Sequence, residues 1–437
     1  MRISSGMIYD AGVSAINKQA SDLLHMQQQL ATGKRVLTPA DDPVASANAL
    51  DVTQSVGMTK QYTTAQDNAD SALGFTESQL QSATDLLTQV RTLAVQAGNA
   101  TLTNTDRQSI ATQLRSSFDQ LMGIANSKDA SGQYVFAGYM GNTTPFSGSV
   151  ESGVSYFGDD GQRLLQVSPS QQIAVSDSGN SVFNRVPTGD GTFSVTYTPT
   201  NSGTAVVSSQ SMVNPANWSN VSNSGNLEIQ FWTDPATNNT YYDLTDVSVN
   251  PPVSLFTGTS STAGGVGNTY THAYGPGNPI NFSGLAAPYT DLGASVTISG
   301  TPASGDSFRV QSSTSQSMFD TLRNLVSALE RPVSSTSGSG MTMLTNDIAV
   351  SINNLDQASQ NILTVRAKIG ARLTEMDALR SVNESVSLQY QQVLSNLQDV
   401  DYTKTISDLT RTQTQLQAAQ QSFVKVANLS LFNYITT

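Results

Sequence analysis

Apolar residues recur at steps of three and four along both ends of this chain and at alternate positions through its middle. Near the start, Val13, Ile16, Ala20, Leu23, Gln27 and Leu30 keep heptad spacing. A longer stripe runs Tyr62, Gln66, Ala69, Leu73, Thr76, Leu80, Ala83, Leu87, Val90, Ala94 and Ala97, with nine of its eleven positions apolar. A third runs Ile362, Val365, Ile369, Arg372, Met376, Leu379, Asn383, Val386, Tyr390, Val393, Leu397 and Val400, with ten of twelve apolar. A sustained heptad is the period of helices that wrap on partner helices. Helices over about 44–98 and 341–398 would each reach about 80 Å at 1.5 Å per residue. Such lengths do not fold back into one small globule, so the pattern predicts a rod.

Breaks divide the helices. The stretch TGKRVLTPADDPVASANAL (Thr32 to Leu50) holds Gly33 and two prolines. Gly33 suits a left-handed cap on the first helix. Asp42 suits the N-cap of the next, with Pro43 at its first position, where the missing N–H costs nothing. A turn at Ala97 to Gln108 leads to a shorter helix carrying Ile110, Leu114, Leu121 and Ile124. SGQYVFAGYMG (Ser131 to Gly141) alternates between glycines and is expected to form a hairpin arm. Near residue 400, QDVDYTKT separates the last long helix from an amphipathic one through Ile406, Leu409, Leu416, Phe423 and Leu429.

The middle reads differently. TFSVTYTP (Thr192 to Pro199), NLEIQFWT (Asn226 to Thr233), ASVTISG (Ala294 to Gly300) and DSFRVQ (Asp306 to Gln311) alternate and are separated by turn residues, an all-β pattern. The fold class expected is therefore α+β and multidomain: a long antiparallel helical bundle or coiled-coil rod from both termini, with a β-hairpin, plus an inserted all-β domain. The divisions are 1–43, an N-terminal assembly helix and loop; 44–138, the N-terminal half of the rod; 139–315, the inserted β-rich outer part; 316–400, the C-terminal half of the rod; and 401–437, a C-terminal assembly helix. The two end segments are expected to be disordered in the free monomer, deferring the cost of ordering to assembly.

Charge sharpens the division. The 437 residues carry a net charge of −12. Between 139 and 315 stand eleven acids, three arginines and no lysine. No basic block exists, so nucleic-acid binding and a basic membrane-binding face are excluded. No run approaches the roughly 20 apolar residues of a membrane span, and the first residues show no cleavable signal pattern. There is no cysteine, which removes disulfides and thiolate chemistry.

Candidate chemistry is sparse. His25 lies just off the first stripe and reads as a solvent-edge residue; His272 reads as a structural loop residue. Asp41–Asp42 is explained by capping and Asp159–Asp160 by a solvated turn, since adjacent loop carboxylates do not aim at one point as glycosidase acids must. No phosphate-binding loop, nucleophile elbow or zinc-protease motif occurs. No catalytic residue, metal site or cofactor is expected.

The ends resemble a known family. MRISSGMIYDAGVSAINKQASDLLHMQQQLATGKRVLTPADDPVASANAL and LFNYI are similar to the flagellin superfamily, and most closely to its hook-associated protein 3 family. The most specific motif is ATGKRVLTPADDPVASA (Ala31 to Ala47), which carries Gly33, Lys34, Arg35, Pro39, Asp41, Asp42 and Pro43. ANLSLFNYI (Ala427 to Ile435) is the second. The resemblance covers about the first 140 and last 120 residues.

It implies a structural axial protein of the bacterial flagellum, forming the junction ring between hook and filament. It further implies self-association, a hook-side junction protein and flagellin as neighbours, an export chaperone on the C-terminal helix, and extracellular placement through the flagellar type III route without a cleaved signal. The implied assembly interface is Ile16, Leu23, Leu30, Ile406, Leu409, Leu416, Phe423, Leu429, Leu431, Phe432 and Ile435. Two alternatives stand beside it: a flagellin-type filament subunit, and an extracellular coiled-coil adhesin whose β part binds a ligand, such as a glycan through Trp218 or Trp232. Membrane insertion is not implied.

Overall fold

The computed structural model describes residues 5–219, 226–256, 272–333 and 338–435. Helix α1 (Ser5–Thr32) ends at Gly33, whose φ of +72° supplies the left-handed cap. Helix α2 (Pro43–Ala97) opens on Pro43, and the Asp42 carboxylate accepts the Ala45 N–H at 3.0 Å. Helix α3 (Asn104–Ala125) opens on a reciprocal box: Thr103 and Asp106 each accept the other's backbone N–H.

The anticipated stripe of α2 is the face it buries, from Gln66 through Ala97, widened by Leu86 and Leu93. Thr76, buried within it, donates its hydroxyl to the Ala72 carbonyl at 2.8 Å. This back-bonding lets a threonine-rich helix bury polar positions without orphaning them.

Residues 131–141 depart from expectation. They form turns joined to the preceding segment by a single bridge, Lys128↔Tyr134, rather than a hairpin arm. The Asp129 carboxylate gathers the N–H groups of Ser131 and Gln133, which curls the chain. Val135, Phe136 and Ala137 are then buried consecutively, which one face of a strand cannot do.

The hairpin is the next element, β1 (Phe146–Ser149) with β2 (Gly153–Tyr156). A second pairs β3 (Leu164–Ser168) with β4 (Gln171–Ala174). A π-helical turn at Asn180–Asn184 leads to β5 (Val186–Pro187).

The remaining strands form two antiparallel sheets around one core. They are β6 (Phe193–Tyr197), β7 (Val206–Met212), β8 (Leu227–Thr233), β9 (Thr240–Asp246), β10 (Val253–Ser254), β11 (His272–Ala273), β12 (Pro279–Ser283), β13 (Asp291–Ser299) and β14 (Ser307–Ser312). One sheet has the order β10-β9-β8-β14-β6, with β11 also on β9; the other is β12-β13-β7. A five-residue helix, α4 (Pro215–Ser219), packs beside β13 and seats Trp218 in the core with Phe193 and Phe282. All four strands anticipated in the middle are present, as β6, β8, β13 and β14. His272 lies in a short strand rather than a loop, its ring stacked on Phe256 at 3.8 Å between centroids.

β15 (Ser315–Gln316) returns to pair with β5. Helix α5 (Met318–Glu330) follows, capped by Ser317, and places Phe319 against Phe118, Phe146 and Phe183. This aromatic cluster is separate from the core between the two sheets. Helices α6 (Gly338–Gln398) and α7 (Tyr402–Ile435) complete the chain.

Contacts divide the molecule into two compact units. The first comprises Met1–Asp67, Val167–Ser170 and Met376–Thr437; the second comprises Asn68–Gln166 and Gln171–Glu375. Within the second, Arg366 reaches Glu77 at 2.7 Å and Arg91 reaches Asp356 at 2.7 Å, tying α6 to α2. Within the first, Asn383 donates to the Thr59 carbonyl and the Thr63 hydroxyl, and Gln66 donates to the Val167 carbonyl at 2.9 Å.

Candidate assembly site

Helices α1 and α7 pack antiparallel in the first unit. Tyr9 meets Phe423 with ring centroids 5.0 Å apart, and Thr412 lies 4.0 Å from the Met26 sulfur. Gly12 admits the Phe423 ring, which a Cβ there would meet at 2.8 Å.

The stripe of α1 that turns inward is Val13, Ile16, Gln19, Leu23, Met26 and Leu30, all half-buried. Gln19 and Met26 take the places expected for Ala20 and Gln27. The seven-residue repeat itself holds, since Ile16, Leu23 and Leu30 stay inward; the flank that turns in beside them carries Gln19 and Met26 rather than Ala20 and Gln27.

On α7 the matching stripe is Leu409, Thr412, Leu416, Ala419 and Phe423. Ile406 lies off it and is 51% exposed. Leu429, Leu431, Phe432 and Ile435 fall on the last turns of α7, and their side chains lie outside the described residues. The pair keeps a second set of large apolar side chains in water: Tyr9 and Leu24 on α1, and Ile406, Val424 and Val426 on α7.

At the base of this pair the two breaks meet. The Val400 N–H donates to the Gly33 carbonyl at 3.0 Å and the Arg35 N–H to the Gln398 carbonyl at 2.6 Å, around the antiparallel bridge Lys34↔Asp399. The Arg35 guanidinium donates to the Leu397 carbonyl at 2.8 Å and to the Asp42 carboxylate at 3.1 Å. Gln29 donates to the Arg35 carbonyl at 2.6 Å. His25, at the solvent edge, lies 3.1 Å from Asp41, whose other oxygen accepts the N–H groups of Leu37 and Thr38. Those bonds, Thr38 first, hold the Asp41 carboxyl below its ordinary value despite some desolvation. The Ala45 N–H, then Arg35, does the same for Asp42. Pro39 and Pro43 line a shallow groove with Ala47 and Leu50.

Sequence reasoning found the loop residues but not their partners on 397–400, because most of those contacts are made to backbone carbonyls. It also missed the polar cross-links from the long stripes. Arg372, a polar member of the third stripe, grips Asp177 in the second unit. The other candidates are structural. Asp159 accepts the N–H groups of Tyr139 and Gly161, and Asp160 takes Asn180 and Arg185. Among the described residues no acidic or histidine cluster could hold a metal ion, and no helix is long and apolar enough to cross a membrane.

The model of the bacterial flagellin N-terminal helical region matches residues 3–141. Flagellar hook-associated protein 3 of Escherichia coli (strain K12) is 25% identical over 432 residues, 99% of each chain. The protein of that name from Salmonella typhimurium is equally similar, at 25% over 434 residues and 99% of each. Likeness to flagellar hook-associated protein 3 runs the whole length of this chain. Among solved structures, the flagellar junction protein FlgL from Legionella pneumophila aligns with a TM-score of 0.67 and 28% identity, covering 80% of this chain and 100% of that one. The likeness to hook-associated protein 3 thus includes the middle, where the sequence by itself offered no family motif.

Proposed function

We propose that this chain is a structural axial protein of the bacterial flagellum that forms the junction between hook and filament and assembles through its terminal helices. The observation that carries the reading is the likeness to flagellar hook-associated protein 3 over 99% of the chain, a span that takes in both the terminal helices and the middle strands. A flagellin-type subunit is the less favoured reading because the solved junction protein aligns with four-fifths of the chain.

The terminal pair supplies the physical means. Its inward stripes hold α1 to α7, and its outward residues Leu24, Ile406 and Val424 await neighbours. In this reading those neighbours are copies of the same chain in a ring, with a hook-side junction protein on one side and flagellin on the other. The apolar last turns of α7 are the segment an export chaperone would cover before passage through the type III route. The protein has a structural task and needs no catalysis, cofactor or metal to perform it.

Deleting the gene and scoring motility, hooks and secreted flagellin together tests this. Intact hooks, no motility and flagellin monomers in the medium are expected. Persistent filaments with altered surface attachment would overturn the reading in favour of an adhesin.

A further inference from the structure

Four helix ends meet around residues 33–35 in the first unit, two of them on the Arg35 side chain. Arg35 reaches the Leu397 carbonyl in the last turn of α6 and the Asp42 carboxylate that caps α2. Its own backbone joins α1 through Gln29 and the end of α6 through Gln398. The adjacent Gly33 carbonyl accepts the N–H of Val400, two residues before α7. The two connections, 33–42 and 399–401, therefore form one joint rather than two independent hinges.

We infer that Arg35 is a positioning residue: it fixes the direction in which the α1–α7 pair, itself held together by its inward stripes, leaves α2 and α6. The guanidinium suits the position. It offers donors in a rigid fork, one arm to a helix C-terminal carbonyl, where a cation is favoured, and one to the carboxylate at a helix N-terminus. Lysine presents a single mobile point charge and cannot span both. An exposed ion pair stabilises little, and Arg35 is 46% exposed. Its effect is on direction rather than on folding. Gly33 supports the same joint, since its φ is positive and a Cβ would meet the Tyr402 hydroxyl at 3.0 Å. All of these contacts lie within the first unit, whichever surface the pair docks against.

The absence of cysteine permits clean spin labelling of the full chain. One pair of labels, Gln28→Cys with Gln54→Cys, reports α1 against α2. The other, Gln28→Cys with Ser407→Cys, reports α1 against α7. All three positions are exposed. With Arg35 present, and with labelled chain diluted into unlabelled chain and assembled so that its ends are ordered, both distance distributions should be single and narrow. In Arg35→Ala the α1–α2 distribution should broaden at least twofold while the α1–α7 distribution stays narrow, with helical content by circular dichroism unchanged. Arg35→Lys should recover less than half of the narrowing. An α1–α2 distribution unaffected by Arg35→Ala, or already broad with Arg35 present, would overturn the inference. So would joint broadening of both distances, loss of helix, or full rescue by lysine.

Discussion

Arg372 holds both carboxylate oxygens of Asp177, at 2.8 and 3.1 Å, across 195 positions of sequence. The two side chains are 17% and 8% exposed, and Gln162 also donates to Asp177 at 2.7 Å. Arginine in a heptad stripe looks like an interruption; here it fastens α6 to the segment after β4. Removing one partner of such a pair strands a buried charge, at a cost of about 3 kcal/mol, whereas removing both is far milder. Arg372→Met should therefore lower stability in urea denaturation by about that amount. Arg372→Met with Asp177→Leu should recover at least half of it. A single substitution with no loss would show that solvent reaches the pair freely.

The α1–α7 contact is expected to be necessary for polymer formation and dispensable for the second unit. Phe423→Asp puts a charge against Tyr9 and Gly12, and Gly12→Leu drives a side chain into the space the Phe423 ring occupies. Both variants should abolish incorporation into flagella, scored by motility in a deletion strain. Fluorescence of Trp218 and Trp232, both in the second unit, should be unchanged. Altered emission would mean that the fold of the second unit depends on the terminal pair.

The cap of α2 should carry an acid limit. The Asp42 carboxyl is held below its ordinary 3.8 in the folded chain, chiefly by the Ala45 N–H and then by Arg35. A depressed carboxylate contributes stability that is complete well above 3.8, begins to fall as the pH drops past that value, and is gone below the folded value. The difference in melting between the wild type and Asp42→Asn should thus be constant at pH 5–7 and shrink below about pH 4. A difference that vanishes already at pH 6 would point to some other group.

Much of this architecture was legible because the helices are long and periodic. Leu73, Leu80 and Leu87 lie on the buried face of α2 as their spacing requires, and Gly33 and Pro43 mark ends that those residues favour. The alternating strands were legible for the same reason, their period being two. The segment holding Val135, Phe136 and Ala137 was not. Its apparent alternation belongs to a turn organised by Asp129, and side chain-to-backbone turns leave no periodic trace. The joint at Arg35 was half legible: the residue types stood out, but the Leu397 and Gln398 carbonyls have no sequence signature. The outward apolar residues of α1 and α7, Leu24 and Val424 among them, adjoin inward ones, Leu23 and Phe423, and a single heptad stripe does not mark them.

The sheets between Phe193 and Ser312 enter and leave the molecule at one place. Phe193 and Ser312 are paired across β6 and β14, and the Ser313 N–H donates to the Thr192 carbonyl at 2.8 Å. Excising 193–312 and joining Thr192 to Ser313 through a short glycine-serine linker therefore asks little of the rest. On α6, Asn346 bonds the backbone of Ala205 and Val207, and Asp347 accepts the Tyr197 hydroxyl; without the sheets these polar side chains can turn to water instead. The aromatic cluster of Phe118, Phe146, Phe183 and Phe319 lies wholly outside the excised span. The shortened chain should keep its helices by circular dichroism and unfold cooperatively. In a deletion strain it should restore filaments, because the terminal pair and the Arg35 joint remain. A folded but non-complementing product would place part of the junction surface on the sheets themselves.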